Sequence, residues 1–220
     1  MQNICHPKPN PTLAQYIIGY GSIIQSKSKR QTDPSSGESR PVRVTGYRRG
    51  WLARGLSTGL STTYLGIIPE RLGQFNGVFF SVKGLKSLIR YDQRERYYCR
   101  KQVLRSAIEP LDGSPLPVGE FWIYILKPSA QAIPSTHYPI VQSYVDVFLS
   151  GCFEIAEKYH LKDFSTECVV STTNWSKYWV NDRLYPRRPF VFEPKALEID
   201  ALLAKKVPKA FSQVKIEGRD

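Results

Sequence analysis

Apolar and polar residues alternate along the first half of the chain more often than they recur at helical spacing. Residues 15–19 read as a short buried strand running into Tyr20-Gly21-Ser22. Strand-like segments follow at 42–47, 62–68, 77–82, 97–104 and 120–126, rich in β-branched and aromatic residues and bounded by Gly, Pro or Asn-Gly. This density of strands predicts an α+β fold: a small mixed β-barrel of about six strands, closed or nearly closed so as to remove exposed edges, with flanking helices.

Three segments carry helical spacing. Residues 84–96 place Leu85, Leu88 and Ile89 on one stripe, and 139–159 do the same with Tyr144, Val145, Phe148, Leu149 and Cys152. Pro139 suits a first turn, and Gly151 inside the second helix implies a close backbone approach. The third helix, 194–206, turns Ala196, Ile199, Leu202 and Leu203 inward. The polar stretch 25–40 reads as a mobile loop. These elements divide the chain into an extended arm over 1–14, a domain over 15–165, and an extension over 166–220 packed on that domain.

Composition narrows the class. The chain has 220 residues, 41% hydrophobic and 23% charged, the balance of a globular rather than a disordered protein. It contains no apolar run of about 20 residues and no apolar leader core, so we expect a soluble, cytoplasmic protein without membrane partners. The net charge of +12 is concentrated towards the two ends. It reads as surface charge rather than a nucleic-acid face. Cys5, Cys99, Cys152 and Cys168 stand far apart with no C-x-x-C pair, which argues against a zinc ribbon and for buried, reduced thiols. The aromatic-basic residues Trp175, Tyr178, Trp179, Arg183, Tyr185, Arg187 and Arg188 suit a segment that wraps the domain and extends its arginines to solvent. The closing Ile216-Glu217-Gly218-Arg219 matches a linker cleavage string and receives no functional weight.

Two places could carry chemistry. At Tyr20-Gly21-Ser22-Ile23, a glycine with positive φ would aim successive N–H groups at one point, forming a nest for a carboxylate or oxyanion. The same glycine would equally serve a plain turn. Glu95 lies seven positions from Leu88, about 20° short of two full helical turns, and so on the extension of the apolar stripe. A carboxylate desolvated there suits a general base. It equally suits a structural partner for Arg94 or Arg100, and the residues alone do not separate the two.

Taken in order, these segments resemble the gamma-glutamylcyclotransferase-like family. Tyr20-Gly21-Ser22-Ile23 resembles its Y-G-S-L loop. Tyr91-Asp92-Gln93-Arg94-Glu95, followed by Tyr98-x-Arg100-x-x-Val103, resembles L-D-x-x-E-G…Y-x-R-x-x-V. Val44 to Arg49, Phe75 to Phe80, and Pro134-Ser135-x-x-Tyr138 resemble further family segments, so the likeness covers roughly residues 15–160. Ile23 and Tyr91 each replace Leu. Arg96 replaces the glycine after the glutamate, which bears on substrate identity more than on chemistry.

The resemblance implies a reaction: intramolecular cleavage of a gamma-glutamyl peptide or amine to 5-oxoproline and a free amine, with no cofactor and no metal. It implies Glu95 as general acid/base and an anionic gamma-glutamyl substrate held at Tyr20, Gly21, Ser22, Ile23 and Tyr138. The competing classes are an idle family member that binds a small acidic metabolite and a basic nucleic-acid-binding protein.

Overall fold

The computed structural model describes residues 5–55, 61–187 and 195–217. In β1 (Gln15–Gly19), Tyr16 and Ile18 join one apolar cluster and Ile17 joins another, so the strand is covered on both faces. It pairs antiparallel with β3 (Thr63–Val82), Ile17 opposite Phe80, and parallel with β6 (Glu120–Leu126), Tyr16 opposite Phe121. β3 pairs antiparallel with β2 (Arg40–Arg54), while β4 (Tyr98–Val103) lies beside β6 and β5 (Ile108–Pro110) beside β2.

The strand order β4-β6-β1-β3-β2-β5 is an open path among the described residues, with no pairing that closes it into a full barrel. Val103 on β4 and Ile108 on β5 nevertheless share one apolar cluster with Ile18, Val44, Phe79 and Phe121. The sheet therefore curls round its own side chains without its pairing closing. The expected strands 62–68 and 77–82 are one strand. Between Pro69, which pairs with Tyr47, and Gln74, which pairs with Thr45, β3 bulges and carries the strand across the expected gap.

The other sheet face packs on α3 (Gln142–Lys158), which is buried on every side from Gln142 to Cys152. A Cβ on Gly151 would collide with the backbone of Ile24 and Gln25, the close approach its position implied. α4 (Phe164–Val170) ends at β8 (Thr172–Thr173), which joins β2 in parallel. A small sheet follows in the order β10-β9-β7, from β7 (Ile140–Val141), β9 (Trp179–Asn181) and β10 (Lys215–Ile216). The cleavage-like string thus begins within a paired strand. Of the aromatic-basic residues, Trp175 stacks on Trp179 and Arg183 bridges Asp146 to Asp200, while Arg188 lies outside the described residues. Asp200 belongs to α5 (Ala196–Lys206), which precedes α6 (Pro208–Phe211).

Three further expectations change. The stretch read as a loop contains α1 (Ser26–Thr32), whose Lys29 is buried and donates to Gly37 O and Ser39 Oγ, both at 2.7 Å. α2 (Gly84–Arg94) buries Ser87, Leu88 and Tyr91, leaving Leu85 and Ile89 exposed. Tyr91 decides that face, its ring against Phe80 and its hydroxyl 2.7 Å from Ser36 Oγ. The cysteines are disulfides, Cys5–Cys99 and Cys152–Cys168, not reduced thiols. Separations of 94 and 16 residues left no local signal of the pairing. No helix among the described residues is long and apolar enough to cross a membrane.

Candidate functional site

After β1, Tyr20 leads into a single 3-10 turn over Ser22–Ile24, with Ile24 N–H donating to Gly21 O at 3.0 Å. The first N–H groups of such a turn have no partner within it. Gly21 has φ −135°, not the positive value expected. Its missing side chain matters for space instead, since a Cβ would sit 3.0 Å from the Tyr144 hydroxyl and 3.7 Å from Leu65 Cβ. Tyr20 is buried, and its hydroxyl donates to the Tyr124 carbonyl at 2.7 Å. Burial pushes its pKa well above the ordinary value, with Tyr98 and then Glu95 adding to the effect.

Arg49 holds this end of β1 in place. It is fully buried on β2, without a carboxylate partner in its hydrogen-bond set. Its guanidinium donates to Tyr20 O, Asn76 O and Oδ1, Cys168 O, Ser171 Oγ and Thr172 Oγ1. Six acceptors converge on one cation, and burial lowers its pKa to about 9.

Glu95 caps α2. Its N–H donates to Tyr91 O at 2.8 Å, and its side chain is only 18% exposed. Arg94 Nε lies 3.3 Å from Glu95 Oε1. Behind it, the Tyr124 hydroxyl donates to Asp92 Oδ1 at 2.7 Å, and Arg100 Nε donates to the same oxygen at 2.9 Å. Burial, reinforced by Asp92, drives the Tyr124 pKa far up, so this phenol stays protonated.

A cavity of about 550 Å³ joins these parts. Tyr20, Gly21, Ser22, Ile23 and Glu95 all line it, so two segments 72 residues apart in sequence, counted from Ile23 to Glu95, meet at one space. Tyr138 does not line it. Its ring lies 4.3 Å from the Arg54 guanidinium, and its carbonyl accepts from Thr63 Oγ1 at 2.7 Å. Sequence reasoning missed Gln31 and Thr32 from α1, Tyr64 from β3 and Tyr144 from α3. Tyr144 did stand on the expected helical stripe, but nothing in that stripe marked it as facing a cavity. Among the described residues no three His, Cys, Asp or Glu side chains gather as a metal site.

The combination is a cavity with a mostly buried carboxylate at one side, a glycine-opened turn at another, and tyrosines between. It can hold a small polar molecule by its anionic end while a carboxylate exchanges a proton with it. Among solved structures, a gamma-glutamyl cyclotransferase superposes with a TM-score of 0.55 at 12% identity, over 87% of this chain and 99% of that one. An uncharacterized protein from Homo sapiens gives 0.54 at 14% identity, over 70% of this chain and 86% of that one. YkqA from Bacillus subtilis gives 0.51 at 18% identity, over 70% of this chain and 52% of that one. No family model and no curated protein matches the sequence. The chain has the gamma-glutamyl cyclotransferase-like fold.

Proposed function

We propose that the protein cleaves a gamma-glutamyl peptide or amine intramolecularly, releasing 5-oxoproline and a free amine, with Glu95 as general acid/base. The observation that carries this reading is the convergence of Tyr20-Gly21-Ser22-Ile23 and Glu95 on one cavity of about 550 Å³. In the proposed reaction, Glu95 takes a proton from the substrate's α-ammonium, and the freed amine attacks its own γ-carbonyl carbon. The new C–N bond closes the five-membered ring, the ring nitrogen gives up its second proton as the original amide C–N bond breaks, and both protons, relayed through Glu95, leave on the departing amine as its ammonium. The backbone at Ser22 and Ile23 supplies N–H groups for the substrate's α-carboxylate or the developing oxyanion. A curled sheet with α3 packed behind it suits this chemistry, because ring closure needs a held conformation more than a reactive group.

Glu95→Gln keeps the shape and removes the base. It is expected to lower 5-oxoproline release from a gamma-glutamyl panel by at least about 100-fold while the circular dichroism stays unchanged. Undiminished release from the folded variant would remove Glu95 from the mechanism.

A further inference from the structure

One side chain ties the three walls of the cavity together. Arg94, the last residue of α2, reaches Glu95 Oε1 with Nε at 3.3 Å. Its Nη1 donates to Ser28 O at 3.0 Å and to Thr32 Oγ1, while Nη2 donates to Ser22 Oγ at 3.0 Å and Ser28 Oγ at 3.1 Å. The guanidinium has five N–H donors and no acceptor, so every hydroxyl that meets it must accept. Ser22 and Thr32, both lining the cavity, are thereby left with an O–H to give. Among the described residues, no acceptor for either hydroxyl hydrogen is found in the hydrogen-bond network. Two hydroxyl donors on the terminal nitrogens of one arginine, beside a carboxylate held by the same arginine, form a matched pair of poles. That is the complement of an α-amino-acid head group, which presents a carboxylate and an ammonium on one carbon.

We infer that Arg94 is a positioning residue that orients the Ser22 and Thr32 hydroxyls onto the substrate's α-carboxylate while holding Glu95 beside its α-ammonium. This rests on the proposed function and extends it to how the head group is recognised. Thr32 becomes a binding residue from a helix composed of polar residues alone. The groups that face Glu95 from the packed elements include Arg94 and Tyr91 of α2, Tyr20 after β1 and Tyr124 of β6. Arg94 is the only cation among these four.

The test compares gamma-glutamylalanine with its α-carboxamide analogue, following release of alanine. In the wild type, replacing the carboxylate is expected to lower kcat/KM about 100-fold, as loss of hydrogen bonds to a charged group does. Thr32→Val is expected to raise KM for gamma-glutamylalanine about tenfold with kcat nearly unchanged, and to shrink the carboxamide penalty to about tenfold. Thr32→Ser is expected to restore both. Arg94→Gln is expected to lower kcat as well and to abolish the discrimination, with Arg94→Lys recovering only part. A purely structural role would move thermal stability and leave the carboxylate-to-carboxamide ratio alone. The wild-type ratio in folded Thr32→Val therefore overturns the inference, even if Arg94→Gln fails to fold. If the wild type releases no alanine from either compound, the proposed function fails separately. The cradle is then judged by calorimetry with L-glutamine, which carries the same head group. Binding weakened about tenfold in Thr32→Val upholds it, and binding that is absent or unchanged overturns it.

Discussion

The methyl group that Gly21 lacks would lie 3.0 Å from the Tyr144 hydroxyl, closer than a carbon normally comes to an oxygen it does not bond. Gly21→Ala is thus expected to push α3 and the turn apart, costing about 1–3 kcal/mol as overpacking does, and to lower turnover. Adding Tyr144→Phe removes the opposing oxygen, so the double variant is expected to regain most of that stability in urea melts. Additive losses would mean that the glycine serves something other than this contact. The residues of the site divide by how sequence could disclose them. Tyr20-Gly21-Ser22-Ile23 was legible as the turn that ends an apolar strand, and Glu95 as a residue on the extension of an apolar stripe, with the family resemblance deciding between the readings left open. Thr32, Tyr64 and Tyr144 were not, because each belongs to a different element and only folding brings them to one space. Tyr138 shows the converse, a tyrosine in a promising motif whose ring lies over Arg54.

Among the elements with an apolar signature, β1 and β6 run over the residues that alternation predicts and α3 differs by a few at its start, whereas β2 and β3 run well beyond the segments expected of them. α1 was hidden because Ser26–Thr32 contains no apolar residue, and its buried face is polar throughout. What fixes it is Lys29, whose ammonium sits 4.8 Å from the Phe80 ring centre and hydrogen-bonds Gly37 and Ser39. Burial lowers the Lys29 pKa from 10.5 to about 8. Below pH 8 both the folded and unfolded chains carry this proton. Between about 8 and about 10.4 the unfolded chain keeps a proton that the folded chain has lost, so stability rises with pH across that window. Lys29→Met is expected to flatten the rise, measured as the difference between urea midpoints at pH 7.5 and pH 10. An unchanged difference would assign the rise to another group. Since Thr32 sits on the same short helix, the anchoring of Lys29 also sets where that hydroxyl stands.

For the molecule as a whole, a net charge of +12 accompanies a cavity that presents Arg90, Arg94 and Arg96 among its lining residues. An anionic substrate would be drawn towards such a surface, and salt would screen the attraction. We expect kcat/KM for a gamma-glutamyl dipeptide to fall as ionic strength rises from about 0.01 to about 0.15 M, with kcat nearly constant. A flat response would leave the charge without a part in catalysis. The two disulfides bear on setting, since such bonds persist where the surroundings are oxidising. The Cys5–Cys99 bond has a further consequence. It closes residues 5 to 99 into a covalent ring, and within that ring lie the turn after β1, all of α1 and α2, Arg94 and Glu95. The proposed catalytic carboxylate, the proposed anion cradle and the arginine joining them are thus threaded on one loop with no free end. A single backbone cut inside it leaves both fragments linked, so the site could be nicked by a protease and still be held as one piece.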